Sequence, residues 1–244
     1  PKDYKKFFGG SGGRLLQKSP PAAGGTMELI DLCVGCFSDR RGGNVCSVCG
    51  WVEGTAPESP VQLLPRTILV NKYMLGRALG HGGFGITYLA WDNALQRRIA
   101  IKEFFPHNIA ARATGQAEVS LYSDKHGPDF QYGLQKFLAE GVALAKFHDH
   151  PGIISVLDSF QANGTGYIVM EYVDGITFKE YLNRAGNRVS YEQALGILIP
   201  VMDSLREIHG SGLLHRDISP DNIYITHKGQ VKLLDFGAAR YELC

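Results

Sequence analysis

The chain has 244 residues, 44% hydrophobic and 20% charged, with 25 Lys and Arg against 24 Asp and Glu and a formal net charge of +1. That length holds one large core, or a core with a small module beside it. The near-neutral balance leaves no electrostatic footprint for nucleic acid or an anionic membrane, and no apolar run approaches the ~20 residues that span a bilayer.

Residues 1–26, PKDYKKFFGGSGGRLLQKSPPAAGGT, are rich in Gly, Pro, Ser and Lys. They lack a continuous apolar core, so they do not read as a secretory signal; their composition predicts a disordered leader or tag. Met27, directly before ELIDLCVGC, is the expected natural start.

Residues 27–54 carry four of the five cysteines, Cys33-x2-Cys36 and Cys46-x2-Cys49; the fifth is Cys244. Each Cys-x2-Cys turn places two thiolates on one side of a tight knuckle, and two knuckles complete a tetrahedral site with no open position. The pattern predicts a structural Zn²⁺ in a zinc ribbon; the alternative is chance pairs or a redox dithiol, which normally comes singly in a βαβ context. A tight double pair without a secretory signal also points to a reducing, cytoplasmic compartment. Gly50 stands where a knuckle needs positive φ, and FSDRRGGN supplies turn chemistry between the knuckles. Zinc here stabilises a fold too small to bury a core of its own, and a partner protein docking on the ribbon is a further expectation. Residues 55–66, with three prolines at 57, 60 and 65 and little periodicity, read as a linker.

From residue 67 to 244 the pattern changes to short β-rich runs. YMLGRAL and ITYLAWD flank Gly80-His81-Gly82-Gly83-Phe84-Gly85, and RRIAIKEF follows as a third strand. Glycines at this spacing let backbone N–H groups approach phosphates. A dinucleotide-binding loop uses similar letters but runs into a helix, whereas here ITYLAW continues as a strand and predicts a lid-like hairpin. Next come Lys102 in IAIK, an amphipathic helix over GLQKFLAEGVALAKF, a buried strand YIVMEYVDG, then HRDISPDN and DFG. Thr177 with Glu180, and Ser190 with Gln193, have capping-box spacing. The helix after Ser190 reads as apolar nearly all round and is expected to be buried.

This order of motifs, spanning residues 67–240, resembles the eukaryotic-type protein kinase family and within it the bacterial-type serine/threonine kinases. The resemblance implies an α+β, two-lobed kinase-like fold, with a β-rich first lobe and an incomplete helical second lobe behind the ribbon. It implies ATP and Mg²⁺ as cofactors and a protein substrate. It also assigns roles. Lys102 contacts the α- and β-phosphates and is held by a carboxylate on the helix; Glu140, on the same face as Phe137, Gly141 and Leu144, is the expected partner. The nucleotide site is expected to comprise Leu79, Gly80, His81, Gly82, Gly83, Phe84, Gly85, Thr87, Ala100, Lys102, Met170 as gatekeeper, the Glu171–Val173 backbone, and Tyr224. Asp217 orients the acceptor hydroxyl, Asn222 and Asp235 hold Mg²⁺, and His215 and Phe236 pack.

Two departures stand out. Ser219 replaces the Lys that touches the γ-phosphate in serine/threonine-specific members, and the chain stops seven residues after Gly237, short of an activation segment, so a truncated chain of low activity is expected. Arg216 would read a phosphate on that segment. The alternative reading is a nucleotide-binding pseudokinase or scaffold with the ribbon as docking module; a nucleic-acid-binding ribbon is disfavoured by the charge. The stretch between Lys102 and the helix is long for the family and predicts an extra hairpin.

Overall fold

The computed structural model describes residues 31–40, 42–83 and 85–234, with the backbone of 240–241. The leader, Met27, Phe84, Asp235 and Phe236 lie outside the described residues. The three β-rich runs form strands close to where alternation places them. β1 (Ile68–Leu69) precedes β2 (Tyr73–Gly82), β3 (Gly85–Asp92) and β4 (Arg97–Phe104). The Asp92 carboxylate accepts from the N–H groups of Ala94 and Leu95, both at 3.0 Å, which closes the turn from β3 to β4.

After β4 the long stretch folds as the expected extra hairpin, β5 (Ala110–Ala111) paired with β6 (Ser120–Leu121). A 3-10 turn at Asp124–His126 then enters α1 (Gly127–Ala145). The helix therefore starts six residues before the periodic run that announced it, because Pro128 fits a first turn that needs no N–H from it. Strands β7 (Val156–Ala162) and β8 (Thr165–Glu171) complete an antiparallel sheet of order β1-β2-β3-β4-β8-β7. Leu75, Ile86, Tyr88, Ile99, Ile101, Tyr167 and Phe105 form its core with Phe130, Leu134 and Phe137 of α1.

The second lobe contains β9 (Gly175–Thr177), α2 (Phe178–Arg184), α3 (Tyr191–Gly210), β10 (Leu213–Leu214), β11 (Ile223–Thr226), β12 (Val231–Leu233) and β13 (Arg240–Tyr241). Ser190 and Gln193 make the full reciprocal capping box. Thr177 caps Glu180 N–H, but the Glu180 carboxylate turns to Arg184 instead of back to the cap. The expectation that α3 is buried all round is corrected. Only Ile197, Val201, Ser204 and Ile208 are buried, on one stripe, while Leu198, Ile199 and Met202 face outward.

Residues 55–66 contain no strand, yet they are no free tether. Leu63 is buried in the sheet's core and its N–H donates to the Tyr88 hydroxyl at 3.0 Å.

Candidate functional site

The hairpin of β2 and β3 places the glycines at its tip, with Gly80 opposite Thr87, His81 opposite Ile86 and Gly82 opposite Gly85. A Cβ on Gly80 or Gly83 would meet nothing within 4 Å, so that surface is open to an approaching group. Gly85 is different: a Cβ there would stand 2.4 Å from the Glu103 carbonyl oxygen, and only glycine lets β3 lie so close to β4. The tip also meets the start of the insert, for His107 N–H donates to the Gly83 carbonyl at 3.4 Å and its ring lies 4.1 Å from that of His81. Burial, followed by the charge on His81, holds His107 below its ordinary value.

Beside the hairpin, β4 pairs Ala100 with Met170 and Lys102 with Ile168 of β8, and Lys102 with Thr87 of β3. Lys102 Nζ stands 4.0 Å from Glu140 Oε1, with both side chains mostly enclosed. The residues on that helix face are as expected: Phe137, Gly141 and Leu144 are buried, and a Cβ on Gly141 would press on Ile168 at 3.1 Å. The absent side chain lets α1 approach β8 and brings Glu140 within reach of Lys102.

β8 runs into Glu171, Tyr172 and Val173. Glu171 N–H donates to the Ser155 carbonyl at 3.0 Å and is not left for a ligand. Tyr224 of β11 donates its hydroxyl to the Gly175 carbonyl at 2.9 Å, and burial, then the neighbouring Tyr172, pushes it up to about 12. In the loop between β10 and β11, Asn222 Nδ2 donates to both the carbonyl and the Oδ2 of Asp217, each at 2.9 Å. His215 is buried, bonded through Nε2 to the Leu234 carbonyl at 3.2 Å and through Nδ1 to Asp217 N–H at 3.4 Å. It packs and orients the loop. Arg216 between them sits at φ 64, a conformation that non-glycine residues rarely adopt. Asp235, Phe84 and Phe236 fall outside the described residues, so Asn222 is the described member of the expected Mg²⁺ pair.

The four cysteine sulfurs, Cys33, Cys36, Cys46 and Cys49, all lie within 4.8 Å of one another. Cys33 and Cys49 Sγ are 3.7 Å apart and Cys36 and Cys46 Sγ are 3.8 Å apart. Thiolates bound at about 2.3 Å in a tetrahedron stand about 3.8 Å from each other, so the set fits a zinc ion. Backbone donors point the same way. Gly35 N–H reaches Cys33 Sγ at 3.3 Å, and burial would raise Cys46, yet N–H donors from Cys49 and Val48 leave it lowered to about 7. Burial pushes Cys33 up to about 11, a charge penalty that a cation at the centre would remove. Gly50 takes φ 75, as its place after the second pair requires.

With that geometry in place, residues 73–242 match the protein kinase domain model. The chain belongs to the protein kinase family. It is 40% identical over 177 residues to the serine/threonine-protein kinase PknA of Mycobacterium tuberculosis, covering 70% of this chain and 36% of that protein. Against PrkC of Bacillus subtilis it is 33% identical over 169 residues, covering 69% of this chain and 23% of the relative. The solved structure "PpkA-294 apo form" matches with a TM-score of 0.67 at 37% identity, over 72% of this chain and 62% of that one. The chain thus spans roughly a quarter to a third of the length of these two curated relatives.

Several residues of this kinase domain carried no signal in the sequence. Lys232 of β12 is buried and bonds Glu171 Oε1 at 2.7 Å, which ties the hinge to the strand leading to Asp235. Glu103 and Arg112 form a fully enclosed ion pair that also receives the Tyr88 and Tyr167 hydroxyls. None has a partner at helical or strand spacing in the sequence, and only the fold brings that partner from nine or sixty-odd residues away.

Proposed function

We propose that this kinase domain transfers the γ-phosphate of Mg-ATP to a Ser or Thr hydroxyl of a protein, as an ATP-dependent serine/threonine protein kinase. The observation that carries this reading is the Lys102–Glu140 pair, held at 4.0 Å beneath the glycine hairpin. An ion pair so placed presents one ammonium to phosphate oxygens while the carboxylate fixes its direction. Mg-ATP, when bound, supplies the phosphoryl group and leaves as Mg-ADP. Gly80, Gly82 and Gly83 offer backbone N–H groups without side-chain bulk to the phosphates. Leu79, Thr87, Ala100, Met170 and Tyr224 enclose the base, with the Val173 N–H and the Glu171 carbonyl facing its edge. Asn222 and Asp235 would hold Mg²⁺ through hard oxygen ligands. Asp217 accepts the hydroxyl proton and orients the attacking oxygen, and its bond from Asn222 keeps acceptor and metal ligand in register.

The four cysteines would hold one structural Zn²⁺, and their reduced state suits the cytoplasm. Among the described residues no helix is long and apolar enough to cross a membrane. Val45, Val48 and Val52 are exposed around the second knuckle and offer an apolar face to a partner protein.

The deciding experiment measures ³²P transfer from Mg-ATP to a generic protein substrate, with Asp217→Asn alongside. Low but measurable transfer by the parent chain and its loss in the variant are expected; undiminished transfer by Asp217→Asn overturns the assignment. Ser219, in place of the Lys that would steady the γ-phosphate, favours a second reading as a nucleotide-binding scaffold. That reading requires saturable nucleotide binding with no transfer above the Asp217→Asn background.

A further inference from the structure

The ribbon and the nucleotide cleft share a wall. The edge of β2 that β1 begins to cover, with Leu75 N–H donating to the Thr67 carbonyl at 2.8 Å, is continued by the first cysteine knuckle. Two residues further along the same edge, Arg77 N–H donates to the Val34 carbonyl at 2.9 Å, and Arg77 Nε donates to the Gly35 carbonyl at 3.0 Å. Val34 and Gly35 are the two residues between Cys33 and Cys36. Gly76 permits the approach: a Cβ there would stand 2.3 Å from the Val34 oxygen and about as close as 3.0 Å to the Phe37 ring. Leu79 and Gly80, the first residues of the nucleotide lid, follow directly on this strand.

A second contact reaches the hinge. Phe37, next to Cys36, lies against Trp91 with ring centroids 5.7 Å apart, in a buried cluster with Leu32, Met74 and Leu89. Tyr172, the middle residue of the hinge, packs on that cluster, with the Arg98 guanidinium 5.1 Å over its ring. Phe37 is held at φ 54, a conformation a bulky residue adopts only when its surroundings impose it. Arg66 adds a further tie through Nη2 to the Leu32 carbonyl at 3.0 Å and Nε to Glu53 at 3.0 Å.

We propose that the first cysteine knuckle is a brace for the nucleotide cleft, with Gly76 and Arg77 as positioning residues, so that metal held by the four cysteines sets the place of the lid strand and of hinge residue Tyr172. The carbonyls of Val34 and Gly35 point at β2 only while the knuckle is closed. A knuckle of this size keeps its shape through its ligands rather than through a core. Opening it removes two hydrogen bonds from the strand that carries Leu79 and the packing behind Tyr172, while Lys102, Glu140, Asp217 and Asn222 are untouched. The ribbon is then part of the site's frame in addition to any partner face. This inference rests on the reading of the cleft as a nucleotide site.

The test measures the dissociation constant for Mg-ADP on the intact chain by calorimetry, with zinc by elemental analysis and amide hydrogen exchange as second readouts. Gly76→Ala forces the knuckle off β2 without touching a ligand. It is expected to weaken Mg-ADP binding about fivefold or more, a loss near 1 kcal/mol, while retaining one zinc per chain. Exchange should rise at residues 79–83 and 170–173 and stay at the parent rate in α3. Metal removal by chelator, and Cys36→Ser, should give the same weakening. Gly43→Ala, where a Cβ meets nothing closer than the Val45 carbonyl at 3.5 Å, is the control and should bind as the parent does. Should Gly76→Ala fail to fold, Arg77→Ala with metal removal carries the test. Mg-ADP binding unchanged in these variants, or in the metal-free protein, overturns the brace. A parent chain with no Mg-ADP binding overturns the nucleotide reading and the brace with it.

Discussion

Lys102 and Glu103 are neighbours on β4, point to opposite faces of the sheet, and each is half of an ion pair. On one face Lys102 meets Glu140 at 4.0 Å, with side chains 15% and 10% exposed. On the other, Glu103 and Arg112 are both 0% exposed. Arg112 donates to both Glu103 oxygens and to the carbonyls of Val61 and Ala117, while Tyr88 and Tyr167 donate to the carboxylate. Burial alone would lower Arg112, and Glu103 more than offsets it, so the guanidinium stays charged. The first pair is long and not fully sealed, which the proposed exchange of partners with a nucleotide requires. The second is saturated and sealed, and its role is to fasten the insert and residues 55–66 to the sheet. One strand thus separates the proposed chemistry from architecture by the alternation of its side chains.

Breaking the sealed pair should cost most. Arg112→Ala leaves a buried carboxylate uncompensated and is expected to destabilise the fold by about 3–5 kcal/mol, read as a drop in the denaturant midpoint. The double change Glu103→Met with Arg112→Leu should recover only part of that loss, since it removes both charges but leaves the Tyr88 and Tyr167 hydroxyls and the Val61 and Ala117 carbonyls without these partners. An unshifted midpoint in Arg112→Ala would show that the pair is not the fastening described.

The open pair should respond the other way round. Lys102→Met is expected to reduce phosphoryl transfer about a hundredfold or more, with a loss of stability smaller than that of Arg112→Ala because the pair is longer and less sealed. Equal losses of stability in the Lys102 and Arg112 variants would erase the distinction between the two faces.

A smaller effect should come from pH at the lid. His107 is held below the ordinary 6.5 by burial and by His81. A depressed base is neutral in the fold while the unfolded chain still takes up a proton. Its contribution is therefore intact above about pH 6.5 and is lost as pH falls from there through the lower folded value. His107→Asn should flatten the decline in the unfolding midpoint between about pH 7 and 5; an identical slope in parent and variant would show that the histidine contact is not coupled to folding.

Much of the cleft was legible because its parts are local. A glycine cluster between two alternating runs specifies a strand–turn–strand, IAIK places Lys102 mid-strand, and HRDISPDN keeps Asp217 and Asn222 five residues apart on one loop, where they bond directly. Glu140 was legible from helical periodicity, which put it on the face of Phe137 and Leu144. The four cysteines were legible from spacing alone. The covering of α3 was misjudged because composition counts apolar residues without saying which neighbour meets them: Ile199 and Met202 lie off the buried stripe.

The amino-acid sequence by itself determined the succession of strands along the chain and the knuckles, since each rests on periodicity or spacing within a few residues, and its motif order carried the resemblance from which the reacting groups are proposed. Tertiary structure alone decided that residues 55–66 pack under Tyr88, that Arg112 finds Glu103, that Lys232 joins Glu171, and that Val34 continues the edge of β2. Those are pairings between distant segments. A lone charge or an unremarkable carbonyl has no pattern to announce its partner, and only the closure of the chain in space brings the two within bonding distance.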